Sequence, residues 1–370
     1  MKFTITQHEM NSIAEIIGGT IPKKAIKPIL SGVKIYAQDG KVLFEATDME
    51  SSVRIESKAY DIEGTGAYVL EGTDAYVIDA ETLKEIAKKS ITTQIEFELE
   101  DNKAIAHLGA GQIKIPVMNA EDYPLLSFAE QGDEILIPYK YFKDMTDKTV
   151  FCASTDEMVR NLNGVLWHFE GRIFRMVTAD SYRMSIAQRH LDRGGQIDIN
   201  LFLPLKAVKQ MLKIVKDDIK IKYDSKAITF VQGNITFATR LLDVNFPNYK
   251  AVVPEQFETT IKVNRKELID AVKLIEVIAR GKGDTVKFDI QGGMLNVAAR
   301  SQDRGDGDVK LMIEHSDKDI LVAFDPNFLV EGLSKYDVED IEMKFVDASN
   351  AMQTGDDKDI HIVMPVKIRS

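Results

Sequence analysis

Residues 201–216 read Leu-Phe-Leu-Pro-Leu-Lys-Ala-Val-Lys-Gln-Met-Leu-Lys-Ile-Val-Lys. An apolar run closes at Leu203-Pro204, and lysines then recur at Lys206, Lys209, Lys213 and Lys216, spaced by 3, 4 and 3, while Leu205, Val208, Leu212 and Val215 take the opposite side. At 3.6 residues per turn, that spacing predicts a strand running into a helix over 205–216 with one packing face and one lysine face. The plan recurs. Phe3-Thr4-Ile5-Thr6 leads into a helix over 7–17, Ile135-Leu136-Ile137-Pro138 into 139–150, and Thr260-Ile261-Lys262-Val263 into 265–280, a period of about 120 to 130 residues. A second strand and helix follow in each copy: Ala75-Tyr76-Val77-Ile78 into 80–89, the stretch quoted above, and Ile320-Leu321-Val322-Ala323-Phe324 into 326–335. Three copies with two helices each organise the chain.

Between the helices stand short alternating runs broken by Gly, Asp and Asn, among them Lys41-Val42-Leu43-Phe44-Glu45-Ala46, Arg172-Ile173-Phe174-Arg175-Met176-Val177 and Met294-Leu295-Asn296-Val297-Ala298. These predict antiparallel sheet, hence an α+β chain of three similar domains. The first two copies close such a strand with Ala46-Thr47-Asp48 and Thr178-Ala179-Asp180, whereas the third reads Ala298-Ala299-Arg300 and has lost the acid. Closing strands at Ile113-Lys114-Ile115-Pro116, Phe237-Ala238-Thr239 and Ile362-Val363-Met364-Pro365 set boundaries near 128 and 254, giving domains 1–128, 129–254 and 255–370. The length of 370 residues accommodates two or three domains at about 150 residues each.

Charge separates by element. The six predicted helices carry 15 basic and 10 acidic residues, or +5, which leaves −16 on the remainder of a chain whose net charge is −11. The total argues against holding nucleic acid by bulk attraction and leaves room for a locally basic helical surface. A lysine stripe taken alone reads as a solvated face; its repetition at Arg265, Lys266, Lys273 and Arg280, at Lys140, Lys143 and Lys148, and at Lys84, Lys88 and Lys89 favours a shared basic surface. The helix over 7–17 is acidic, although Lys23, Lys24 and Lys27 follow it. A single cysteine, Cys152, excludes an internal disulfide and suits a reducing cytoplasm. No apolar run is long enough to span a membrane, and residues 1–8 lack a secretory apolar core.

Catalytic signatures are missing. The six histidines, His8, His107, His168, His190, His315 and His361, show no metal-ligand spacing, and no phosphate-cradling glycine loop or nucleophile elbow occurs. Asp303-Arg304-Gly305-Asp306-Gly307-Asp308 lacks the closing Glu of a calcium loop and reads as a solvated turn, and Cys152 reads as an inert buried thiol. Neither a metal nor a cofactor is expected.

Against this background the chain resembles the bacterial DNA polymerase III beta subunits, the sliding clamps, over its whole length. The resemblance rests on Lys27-Pro28-Ile29-Leu30, Ala46-Thr47-Asp48-Met49-Glu50, Asn163-Gly164-Val165, Thr178-Ala179-Asp180-Ser181-Tyr182-Arg183-Met184-Ser185, Arg240-Leu241-Leu242-Asp243, Phe246-Pro247-Asn248-Tyr249 and Ile362-Val363-Met364-Pro365-Val366. It implies a noncatalytic DNA-replication processivity factor: a head-to-tail homodimer encircling double-stranded DNA, sheets outside and helices inside, cytoplasmic and nucleoid-associated. By the same resemblance Lys24, in an inward loop, faces DNA, with Lys206, Lys209 and Arg265 expected as helical contributors to diffuse screening, and Ile113, Ile115, Val277 and Ile278 join the subunits. A hydrophobic cleft for peptides of the replicative polymerase, the clamp loader and repair proteins falls to Leu162, Ala179, Tyr182, Arg183, Met184, Pro247, Val252, Phe328, Met364 and Pro365. The chain departs from the family at Ser181-Tyr182, at Ala251 and in the terminal Arg369-Ser370, so peptide preference is expected to differ. A peptide-binding scaffold without DNA work, and an enzyme built on Asp180, Tyr182 and Arg183, are the alternatives the residues leave open.

Overall fold

A computed structural model describes residues 1–57, 60–63, 75–100, 103–126, 128, 132–156, 158–192, 197–279 and 285–368. Arg280 and Arg369-Ser370 of the sequence reading lie outside them. Among the described residues six α-helices are formed: α1 Gln7–Gly18, α2 Ala80–Lys89, α3 Tyr139–Thr149, α4 Leu205–Ile214, α5 Arg265–Ala279 and α6 Pro326–Leu333. Their starts follow from side chains. Thr6 caps α1 by accepting from the Glu9 amide, Asp79 caps α2 from Thr82, and Asp325 caps α6 from Asn327 with Pro326 in the first turn. α5 buries Leu268, Ile269, Ala271, Val272 and Ile275, the three- and four-residue spacing that its sequence predicts.

The chain divides into two compact units, residues 1–139 with 206–241, and residues 140–205 with 242–370. Each holds one nine-stranded antiparallel sheet and one smaller sheet. In the first unit the large sheet runs Met118–Asn119, Tyr76–Asp79, Gly32–Gln38, Lys41–Thr47, Ser51–Ser57, Ile235–Arg240, Ala227–Gln232, Ile219–Tyr223, Asp133–Ile137. Strands of the first and second sequence copies meet within it, with Val53 opposite Phe237 and Ser51 opposite Thr239. The smaller sheet, Tyr60–Glu63, Lys2–Thr6, Gln94–Glu100, Lys103–Leu108, Gly111–Pro116, ends on the last of these strands. Here α1 packs against α2, and the buried Gln210 of α4 donates to the Ile16 carbonyl near the end of α1.

In the second unit the large sheet runs Ile197–Pro204, Gly164–Gly171, Ile173–Ala179, Arg183–His190, Asp359–Val363, Met352–Gly355, Asp340–Phe345, Thr259–Asn264, Glu314–Asp317. Copies two and three join at Arg183–His190, where Met184 lies opposite Ile362 and Ala187 opposite Asp359. Asp359 also binds Arg189 at 2.8 Å and Lys148 of α3 at 2.5 Å. The smaller sheet is Gly305–Met312, Met294–Ser301, Val286–Gln291, Ile320–Phe324. α5 and α6 pack together over a core that includes Phe288, Phe324 and Phe345. Gly332 in α6 lets the His361 ring approach: a Cβ there would lie 2.1 Å from its Cδ2. Among the described residues no helix is long and apolar enough to cross a membrane.

Candidate functional site

The ten residues assigned to the cleft all fall in the second unit. Their centre is the tight turn Ala179 to Arg183. Asp180 shapes it, one carboxylate oxygen accepting from the amides of Tyr182 at 2.8 Å and Arg183 at 2.9 Å. The other oxygen takes Arg183 Nε at 3.0 Å, and the same guanidinium reaches Glu331 of α6 at 2.5 Å and the Phe151 carbonyl at 3.2 Å. Its plane lies 4.4 Å from the Phe328 ring centre, and Tyr182 stacks on Phe328 at 6.0 Å. Burial opposes the charge on Arg183, but the bonds to Glu331 and Asp180 raise its pKa overall.

Ala179 and Met184 are buried and join Val177, Ile186, Phe202, Tyr249 and Ile362 in one apolar cluster, with Leu162 partly buried against it. Leu162 is tied in because its carbonyl, like that of Ala179, accepts from the Ser154 amide. The Met364 amide donates to Tyr182 at 2.8 Å, drawing the terminal segment across the turn, and Met364 stays 39% exposed. Val252, 50% exposed, and the exposed Pro247 flank the buried Tyr249 of the same cluster, and Pro365 follows Met364 half-buried. Leu162, Ala179 and Met184 thus share one apolar cluster, Tyr182 and Arg183 stack on Phe328 beside the turn, and Val252, Pro247 and Met364 face solvent. Such an arrangement suits an apolar peptide segment. Sequence reading missed Phe151 and Glu331 here; Glu331 stands one turn after Phe328 on α6, the only local signal for it.

Beneath the turn, Cys152 Sγ lies 3.6 Å from His361 Nδ1, both fully enclosed. Burial pushes the thiol up and the imidazole down, to about 4, so at pH 7 the thiol keeps its proton and the ring is an unprotonated, weakened base enclosed away from solvent. Among the described residues no group of three or more His, Cys, Asp or Glu is placed to hold a metal.

In the first unit Lys24, Lys206 and Lys209 are all exposed, and the Lys206 ammonium is engaged by Asp48 at 2.5 Å. Lys213 and Lys216 join Lys23 and Lys84 around an open groove of about 920 Å³. Arg265, in the second unit, is half-buried with Nε on the Val338 carbonyl at 2.8 Å, which narrows its reach to other groups.

Of the residues expected at the subunit contact, Ile115 is 3% exposed and lies opposite Ala104, packed within its own sheet. Ile113, opposite Ala106, is 41% exposed and lines a groove of about 390 Å³ with Ile86 and Leu108. On α5, Val277 is exposed and Ile278 half-buried, and the more exposed Leu274, unnoticed in the sequence, lies beside them.

Three consecutive family descriptions match this chain: DNA polymerase III beta subunit N-terminal domain at residues 1–127, central domain at 136–248 and C-terminal domain at 250–367. The chain belongs to the DNA polymerase III beta subunit family. It is 27% identical over 378 residues to the beta sliding clamp of Bacillus subtilis (strain 168), covering 99% of this chain and 100% of that protein. The DNA polymerase III beta subunit of Thermotoga maritima superposes with a TM-score of 0.91 at 28% identity, all of both chains covered. A Pseudomonas aeruginosa sliding clamp bound to griselimycin shares the fold, with a TM-score of 0.89 at 20% identity and full coverage of both chains. As a beta clamp the chain has the three-domain sliding-clamp fold and serves DNA replication as a processivity factor, not as a catalytic subunit.

Proposed function

We propose that two copies of this chain close head to tail around duplex DNA and tether the replicative polymerase, with the cleft taking peptides of the polymerase, the clamp loader and repair proteins. The observation that carries the reading is the match of three domain descriptions in order along the chain. Boundaries near 128 and 254 fit those matches and the repeated helix pairs.

Duplex DNA carries about one negative charge per 1.7 Å of axis. Lys24 and Lys209, helped by Lys206, Arg265 and the lysines around the first unit's groove, would screen that charge diffusely. Few tight phosphate contacts permit sliding, so retention is topological. The acidic remainder discourages DNA from wrapping elsewhere.

Closure by two chains calls for a heterologous contact that returns on itself. Two exposed terminal strands support it: Gly111–Pro116 ends the five-stranded sheet, and Gly305–Met312 ends the four-stranded one. Lys114 on the first suits Asp306 and Asp308 on the second, all exposed. The groove at Ile113, Ile86 and Leu108 suits Leu274, Val277 and Ile278. The cleft reading names griselimycin, held by the Pseudomonas aeruginosa clamp, as a ligand for this chain, and the site of action is the cytoplasm, at the nucleoid. Sedimentation velocity tests the assembly: a dimer is expected, and a persistent species near the 41.5 kDa chain mass would defeat it.

A further inference from the structure

Pro247 and Val252 stand on a segment with little backbone support of its own. Leu242 donates to the Phe202 carbonyl at 2.8 Å and Glu258 to that of Phe345 at 2.9 Å; between them the segment joins no strand and forms only the short 3-10 turn Tyr249–Val252. The side chain of Asn248 makes no capping bond to that turn. Side chains must therefore fix where this wall stands.

We propose that Tyr249 with His168, and Lys250 with Glu170, are positioning residues for ligand binding: they clip the wall bearing Pro247 and Val252 to the strand Gly164–Gly171. The proposal rests on the cleft reading above. Tyr249 is buried, its hydroxyl 2.5 Å from His168 Nδ1 and its ring edge-on to the imidazole at 5.7 Å. Lys250 reaches both carboxylate oxygens of Glu170, at 2.9 and 3.0 Å. His168 and Glu170 are two apart on one strand and share a face, while Tyr249 and Lys250 are adjacent in the wall. Two anchors on neighbouring residues restrain rotation of the turn as well as its distance from the sheet.

Both anchors are themselves held. Arg175 on the next strand binds Glu170 at 2.6 Å and Gln188 at 3.0 Å. Lys250 and Arg175 together keep the Glu170 carboxyl down at about 2, so it is charged throughout the neutral range. Burial, reinforced by Lys250 and Arg175, lowers the His168 pKa and favours the neutral ring, whose Nδ1 shares a hydrogen bond with the Tyr249 hydroxyl. A wall freed from either anchor has to be ordered again by each incoming ligand, which weakens binding mainly through faster dissociation.

The test titrates griselimycin into the full chain and its variants by calorimetry and stopped flow. Wild type is expected to bind; Tyr249→Phe and Lys250→Ala should each weaken binding about three- to tenfold, the range of one lost hydrogen bond. His168→Asn, which offers an oxygen near the Nδ1 position, and Lys250→Arg should stay within about twofold of wild type by the same scale. Because the Lys250–Glu170 pair is solvent-facing, Lys250→Ala should fold normally and decides the matter if Tyr249→Phe does not. Wild-type affinity in Lys250→Ala and in any folded Tyr249→Phe would overturn the proposal alone, as would conservative variants as weak as the disruptive ones. Failure of the wild type to bind would instead remove the cleft reading and this inference together.

Discussion

Arg183→Ala should cost the second unit about 2–4 kcal/mol and open the cleft. The Arg183 side chain is only 11% exposed, and its guanidinium makes four kinds of contact at once: Asp180 at 3.0 Å, Glu331 at 2.5 Å, the Phe151 carbonyl at 3.2 Å and the Phe328 face at 4.4 Å. Asp180 keeps its two backbone donors when the arginine is removed, so its bond is worth about 1.5 kcal/mol, toward the lower end for a charged hydrogen bond. Glu331 is half-exposed and regains water, which limits that pair to about 1 kcal/mol or less. The stacking on Phe328 adds about 0.5–2 kcal/mol. At roughly 2–4 °C per kcal/mol for a cooperative unit of 150–250 residues, the second unit's calorimetric transition should fall by about 4–16 °C. Since Phe328 and Glu331 share α6, griselimycin affinity should fall too, and Arg183→Lys, which keeps the charge but loses the fork, should be intermediate. A transition within about 1 °C of wild type, together with unchanged affinity, would refute the idea that Arg183 ties α6 to the turn.

At the proposed subunit contact, Val277→Glu or Ile113→Lys should shift sedimentation toward the monomer without lowering the monomer's own melting temperature, whereas Ile115→Lys should destabilise the first unit itself by burying a charge. Reversing Lys209, Lys213 and Lys216 to Glu spares the Lys206–Asp48 pair and should abolish processive synthesis with the fold intact by circular dichroism; unimpaired synthesis would count against the basic face. His361, fully buried with its pKa held at about 4, takes up its proton at lower pH in the folded chain than in the unfolded one. Its contribution to stability is therefore complete above the usual histidine pKa near 6.5 and drains as pH falls from there toward 4, by at most about 3 kcal/mol. Unfolding titrations of wild type and His361→Gln should diverge in slope within that window, and parallel curves would exclude the effect.

The helices were legible because their signals are local. The lysine spacing of α4 and the apolar spacing of α5 each sit within a few turns, and the cap at Asp325 precedes Pro326 directly. Sheet partners were not. Val53 meets Phe237, and Met184 meets Ile362, across separations that no periodicity spans, so strands of successive copies share sheets that the repeat alone would keep apart. Resemblance supplies the residues of the proposed cleft, but not the electrostatics of the turn at its centre: Arg183 finds Glu331 148 positions away. Ile115 shows the limit of alternation. It shares a strand face with Ile113, but only the packing of neighbouring elements decides which of the two is covered. Lys206 likewise belongs to the stripe by spacing and to Asp48 by tertiary contact.

The most direct measurement loads the labelled protein onto nicked circular plasmid with a clamp loader, removes free protein, and compares retention before and after a single cut. Threading without adhesion predicts stable retention on the circle and rapid loss from the free ends once the plasmid is linear. Equal retention on both forms would mean that the protein grips DNA directly, and no retention on the circle would mean that it does not encircle it.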